Sequence, residues 1–260
     1  MFDLILGAGQ IGEGLGAVLE SKHRVQYHDP GKGIFYVAPQ LLFEVDYLHV
    51  CIPGTIPDFL EQVVKAVKEF NPKIVVLHST VVPGTTRLIA SKICVPIVHS
   101  PIRGKHPHLD IGVATYLKHI GYIDRTAALQ VAEHFEEAGI AAEIYDRPET
   151  TELGKILELF RYGMEVMMIT KQAELCKSYH VDFESTIAEF IKSYNIGLCQ
   201  LDLGTLAQPL PTPMEGNKLG GHCVIENCWE LFKALPEAEG DFKRYLIDLV
   251  NFGKGDRKLK

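Results

Sequence analysis

A chain of 260 residues, 47% hydrophobic and 23% charged, is long enough to bury a large core and has the balance of an ordinary globular protein. Its formal net charge of −7 argues against nucleic acid or an anionic membrane surface as a partner. No apolar run is long enough to span a bilayer, no signal peptide is expected ahead of Asp3-Leu4-Ile5-Leu6, and six scattered cysteines without CxxC spacing read as reduced thiols of a cytoplasmic protein.

Short apolar runs predict strands over 3–7, 24–28, 47–52, 73–78, 95–99, 117–123 and 142–145. Amphipathic stretches between them, such as 57–70 and 125–138, predict covering helices. The alternation is that of a Rossmann-like, doubly wound parallel sheet occupying residues 1–147. The first strand runs into Gly7-Ala8-Gly9-Gln10-Ile11-Gly12. In that spacing Gly7 allows the tight turn, Gly9 lets backbone approach a pyrophosphate, and Gly12 lets helix pack on strand. Gln10 and Ile11 open the helix whose unpaired N–H groups would face the phosphates. Asp29 ends the second strand, where a carboxylate can accept hydrogen bonds from a ribose and would repel a 2′-phosphate. NAD is therefore expected over NADP, although Asp29 would also suit a plain turn before Pro30-Gly31. Ile52 and Pro53 follow the third strand at the edge where such sheets bind ligands.

The character changes at Asp146-Arg147-Pro148, which predicts a second, helical domain over 148–260. No strong breaker interrupts 149–179, so one long helix is expected there. Leu153, Ile156, Phe160, Met164 and Met167 form an apolar stripe along it, read as a homodimer interface. A further helix over 184–194 precedes the breaker-rich loop Pro209-Leu210-Pro211-Thr212-Pro213. Beyond it lies Asn217-Lys218-Leu219-Gly220-Gly221-His222-Cys223, which presents a glycine-flanked thiol at the start of another helix. Asn217, Lys218, Gly220 and His222 are candidate substrate contacts. Cys51, Cys94, Cys176, Cys199 and Cys228 are expected to be packing residues. No metal-ligand spacing is recognisable; His106 and His108 flank Pro107 in a pattern that fits no standard zinc site.

Five ordered segments resemble the UDP-glucose/GDP-mannose dehydrogenase family: the glycine turn 7–12, Ser79-Thr80-Val81-Val82-Pro83-Gly84-Thr85-Thr86, Ser100-Pro101, Glu152-Leu153-Gly154-Lys155 and Gly220-Gly221-His222-Cys223. The resemblance implies an NAD-dependent oxidation of a nucleotide sugar. Cys223 would attack an aldehyde intermediate, and a second hydride transfer would leave a thioester for water to hydrolyse. Lys155 would stabilise the reacting oxygen and Thr80 would lie near the nicotinamide. The family's third, C-terminal domain does not fit within residues 224–260. Three positions depart from its pattern: Ile102 stands where the family has a glutamate, Leu159 for an asparagine and Asn227 for an aspartate. The losses fall on the hydrolytic half, so a single hydride transfer on a small polar or anionic substrate is expected instead of the four-electron oxidation. Two other readings stay open: a non-catalytic dinucleotide-binding homologue, and a transferase using another adenine cofactor.

Overall fold

The structure is a computed structural model and describes residues 1–36, 44–104, 108–214, 219 and 222–254. Seven strands, β1 (Phe2–Leu6), β2 (Arg24–His28), β3 (Tyr47–Val50), β4 (Ile74–Leu77), β5 (Ile97–His99), β6 (Lys118–Tyr122) and β7 (Ala142–Tyr145), form one sheet of order β2-β1-β3-β4-β5-β6-β7. Side chains alternate across it because the strand period is two. Ile5, Tyr47, Val76, Val98 and Ile120 face a core layer completed by α1 (Gln10–Leu19), α4 (Leu109–Thr115) and α5 (Arg125–Glu137). Leu4, Leu6, Leu48, Val50, Val75 and Leu77 face the opposite layer, closed by α2 (Phe59–Phe70) and α3 (Thr85–Ala90). The sheet is doubly wound, as its sequence pattern predicts.

It is not wholly parallel. β6 pairs antiparallel to β5, with Val98 opposite Tyr122 and His99 opposite Gly121, and β7 then pairs parallel to β6. A parallel strand needs a connection that carries the chain back along the sheet. The segment after β5 makes no such return: β6 starts beyond the carboxyl end of β5 and runs back beside it. Short apolar runs carry no sign of direction, which is why sequence alone reads all seven strands as parallel.

The helix α6 (Pro148–Ser178) runs for 31 residues, opening with a proline whose missing N–H is spare in a first turn. Its start docks closely on β6 because position 121 is glycine: a Cβ there would lie 2.5 Å from Thr151 Oγ1 and 2.7 Å from Pro148 Cα. The chain divides within α6 into two compact units, Met1–Ile156 and Leu157–Lys260.

The second unit contains the remainder of α6, then α7 (Glu189–Gln200), α8 (His222–Ala234) and α9 (Gly240–Lys254). A π-helical turn at Glu184–Ala188 leads into α7, so helical backbone extends past the expected end at 194. Gly163 lets α6 meet both α8 and α9, since a Cβ there would sit 2.8 Å from Val224 and 2.8 Å from Leu249. Phe160 and Phe242 pack with ring centroids 5.1 Å apart. The expected stripe is therefore partly consumed by the chain itself: Ile156 is fully buried, and Phe160 packs on α9. Leu153 of that stripe stays exposed, and the other exposed apolar residues of α6 are Tyr162, Met168 and Leu175. Two cysteines expected to pack, Cys94 and Cys199, are exposed, whereas Cys51, Cys176 and Cys228 are buried.

Candidate functional site

The glycine turn has the geometry that its spacing predicts. Gly7 sits at φ +100°, in the region that side chains rarely adopt, and packs against Ile52. A Cβ on Gly12 would lie 2.0 Å from Gly7 O, so no larger residue fits there without moving the strand end. Gly9 differs from both: a Cβ there meets nothing within 4 Å, which leaves open space in front of the first turn of α1. The backbone amides of Gln10 and Ile11, in the first turn of α1, border that space. Asp29 stands beside it, its Oδ2 accepting from Ala8 N at 2.9 Å. Lys32, which the sequence reading passed over, donates to the Ala8 carbonyl and lies 3.4 Å from Glu13. A cation thus neighbours the carboxylate expected to exclude a 2′-phosphate.

At the carboxyl edge of β3 and β4 the loops are tied together. Ser79 Oγ donates to Ile52 O at 2.6 Å, and Gly54 lies so close to Thr80 that a Cβ would be 2.2 Å from its carbonyl oxygen. Gly7, Ile52, Pro53 and Thr80, predicted as cofactor contacts from distant segments, therefore meet along one edge. Beneath them, His99 Nε2 lies 3.1 Å from Ser79 O, so that nitrogen carries the proton and Nδ1 accepts from Thr151 Oγ1 at 2.7 Å. Burial brings His99 down to about 3, so its ring stays neutral and acts as a brace between β4, β5 and α6.

Glu152 is a second brace, legible from sequence only as a member of a motif. It is fully buried, and its carboxylate accepts from Gly84 N at 2.6 Å and from Thr86 N and Oγ1 at 2.7 and 2.6 Å. Burial raises its pKa against the lowering effect of these bonds. The carboxylate caps α3 and fixes α6 to the Ser79–Thr86 loop. Lys155 lies three residues further along the same helix, on a neighbouring part of its surface. Its charge is felt by Lys118, which burial pushes down to about 7 with Lys155 adding to the depression. Lys118 Nζ donates to Ser100 O at 2.7 Å and Pro101 O at 3.1 Å.

Cys223 is exposed in the first turn of α8. Asn227 is occupied one turn on, with Nδ2 donating to Cys223 O at 2.7 Å. Ile102 is buried in the core layer with Leu109 and Val113, so an apolar contact replaces the family's carboxylate. Asn217, Lys218 and Gly220, together with the His222 side chain and His106, lie outside the described residues. Cys223 and Lys155 belong to different units, and each is placed only within its own.

No protein-family model matches the chain, and no curated protein matches it by sequence. Solved structures do match it in fold. A UDP-D-ManNAc dehydrogenase from Pyrococcus horikoshii aligns at TM-score 0.76 with 17% identity, over 98% of this chain and 68% of that one. A 3-hydroxyisobutyrate dehydrogenase from Mycobacterium tuberculosis aligns at TM-score 0.70 with 14% identity, over 97% and 92%. A GDP-mannose dehydrogenase from Pseudomonas aeruginosa aligns at TM-score 0.60 with 17% identity, over 98% and 68%. The chain has the fold shared by these sugar-nucleotide and hydroxyacid dehydrogenases. Among the described residues, no helix is long and apolar enough to cross a membrane.

Proposed function

We propose that this chain is an NAD-dependent oxidoreductase that moves a single hydride between the cofactor and a hydroxyl or carbonyl of a small polar or anionic substrate. The observation that carries this reading is the cradle at the glycine turn, where open space faces Gly9, Asp29 is anchored beside it and Ile52, Pro53 and Thr80 lie on the same edge. A bound NAD would supply the hydride acceptor. The chain's own residues would do the rest: the α1 amides hold the pyrophosphate, Asp29 orients the ribose, and Lys155 stabilises the negative charge developing on the reacting oxygen. Nucleotide sugars are the substrate class suggested by the sugar-nucleotide dehydrogenases with which the fold aligns. The hydroxyisobutyrate dehydrogenase suggests short hydroxyacids, which ask less of the positions taken by Ile102, Leu159 and Asn227.

A second reading, a dinucleotide-binding protein without catalysis, has one observation in its favour: Ile102 and Asn227 are committed to packing and to backbone bonding. Calorimetric titration with NAD, followed by a substrate panel with NADH counted per substrate consumed, separates the two. One NADH per substrate is the expected result. Binding without turnover favours the second reading, and two NADH would restore the thioester chemistry. Iodoacetamide labelling run alongside should modify Cys223 faster than the exposed Cys94 and Cys199 and should respond to NAD; equal rates would remove Cys223 from the site. Residues 1–147 are proposed to hold the cofactor, and residues 148–260 to form a helical domain for substrate and dimerisation.

A further inference from the structure

The face of the sheet under α5 holds an unusual concentration of buried polar side chains. Asp3 on β1, His49 on β3 and His134 on α5 are all fully buried, and each offers a ligand atom within 4.8 Å of the others. His134 Nε2 lies 3.2 Å from Asp3 Oδ2, and His49 Nε2 lies 3.7 Å from Asp3 Oδ1. The atoms are close, but none is hydrogen-bonded. Of the seven buried side-chain polar atoms without a hydrogen-bond partner among the described residues, five belong to this group: both oxygens of Asp3, Nε2 of His49, and both ring nitrogens of His134. A buried carboxylate left so carries a large desolvation cost unless a cation meets it.

The protons of the neighbouring rings indicate what kind of cation fits. His78 Nδ1 is 2.6 Å from Ser100 O, which can only accept, so Nδ1 of His78 carries a proton. Lys118 Nζ, 3.3 Å from the same nitrogen, has better acceptors in Ser100 O and Pro101 O. In the neutral ring Nε2 of His78 is then an acceptor, and His49 Nδ1, 3.0 Å away, is its donor. Neutral His49 consequently turns a bare lone pair on Nε2 toward Asp3. Two imidazoles supply two protons to a chain with three gaps. The 2.6 and 3.0 Å gaps take them, and the 3.7 Å gap has none.

For His49 that arrangement is the one a metal-bound histidine adopts, with the far ring N–H donated to an outer partner and the near lone pair aimed at the ion. We infer that Asp3, His49 and His134 form a buried site for a zinc-class divalent ion, with His78 and Ser100 as its outer shell. Two imidazole nitrogens and the two carboxylate oxygens give four donor atoms from three residues, a donor set that suits zinc better than magnesium or calcium. The site lies within the first unit and does not depend on the dinucleotide reading.

The test begins with the full chain stripped by a chelator, dialysed, and reloaded with Zn2+ in one arm and Co2+ in another. Elemental analysis should give about one zinc per chain, and the cobalt form should show the visible absorption of a low-coordinate nitrogen–oxygen site. Asp3→Asn and His49→Gln should each lower zinc affinity at least 100-fold, and His78→Leu by 10–100-fold through loss of the outer partner. Should these variants fail to fold, 15N spectra of the wild-type histidine rings replace them, with zinc expected to shift His49 Nε2 and His134 Nε2 together. A stripped chain that takes up no zinc, zinc that binds equally well to the folded variants, or spectra showing a proton on His49 Nε2 that zinc does not displace would each overturn the site.

Discussion

Single side chains here do more to position the candidate site than to form it. Asp29 is held by Ala8 N with Lys32 alongside, so two opposite charges stand at the place where a 2′-phosphate would arrive. Asp29→Ala should cut the preference for NAD over NADP at least tenfold, and Lys32→Ala should sharpen it; titrating both cofactors against each variant checks the pair. Lys118 lends itself to a pH experiment. In the unfolded chain a lysine titrates near 10.4, whereas burial brings Lys118 down to about 7. Between those values the unfolded chain binds more protons, so stability should rise as pH rises from about 7 to about 10 and be lost as pH falls back through that window. The term is on the order of a few kcal/mol. Urea denaturation across this range should show the slope in the wild type, and Lys118→Met should flatten it.

At the scale of elements, the start of α6 is the piece on which most depends. Gly121 lets it lie against β6, Thr151 bonds His99, and Glu152 caps α3. Together these contacts bind two strands and the Ser79–Thr86 loop to the helix that carries Lys155. Gly121→Val should therefore act on both stability and function. Forcing a side chain into a packed contact costs about 1–3 kcal/mol, and the displaced helix should lower turnover more than it lowers NAD affinity, because α6 carries Lys155 whereas the glycine turn is built from β1 and α1. Chemical denaturation and a kcat comparison read the two effects. A loss of NAD binding equal to the loss of turnover would show that α6 braces the cofactor edge as well. Glu152 was legible only as one letter of a motif. Its role depends on amides at Gly84 and Thr86, more than sixty residues earlier in the chain, and no local pattern announces such a pairing.

On the scale of the whole molecule, several large apolar side chains of the second unit are exposed among the described residues. Tyr162, Met168 and Leu175 on α6, Phe190 and Tyr194 on α7 and Leu201 just beyond are all exposed. Exposed apolar side chains are what an association surface would use. A homodimer through these residues is expected, and Met168→Glu with Phe190→Glu should leave a folded monomer by light scattering. A 29 kDa wild type at micromolar concentration would count against it. The stripe expected from sequence was Leu153, Ile156, Phe160, Met164 and Met167, of which Ile156 is buried and Phe160 packs on α9. Helical spacing finds apolar faces, but on a helix apolar over so much of its surface it cannot say which face α8 and α9 will take.

What the sequence determined by itself were the features encoded locally. All seven strands, the glycine turn, Asp29 at the end of β2 and the 31-residue helix follow from spacing, side-chain alternation and the absence of breakers, each acting over a few residues. What only the tertiary structure decided were the features that join distant segments. The reversal at β6 depends on where the chain stands when it leaves β5. Asp3, His49 and His134 converge from positions in β1, β3 and α5 that share no spacing. Ile102 and Asn227 are settled by the core and the helix that enclose them. Local order follows from covalent geometry and periodicity, which the sequence carries directly. Burial, charge pairing and the alignment of lone pairs arise only when the folded chain brings together residues that the sequence holds apart.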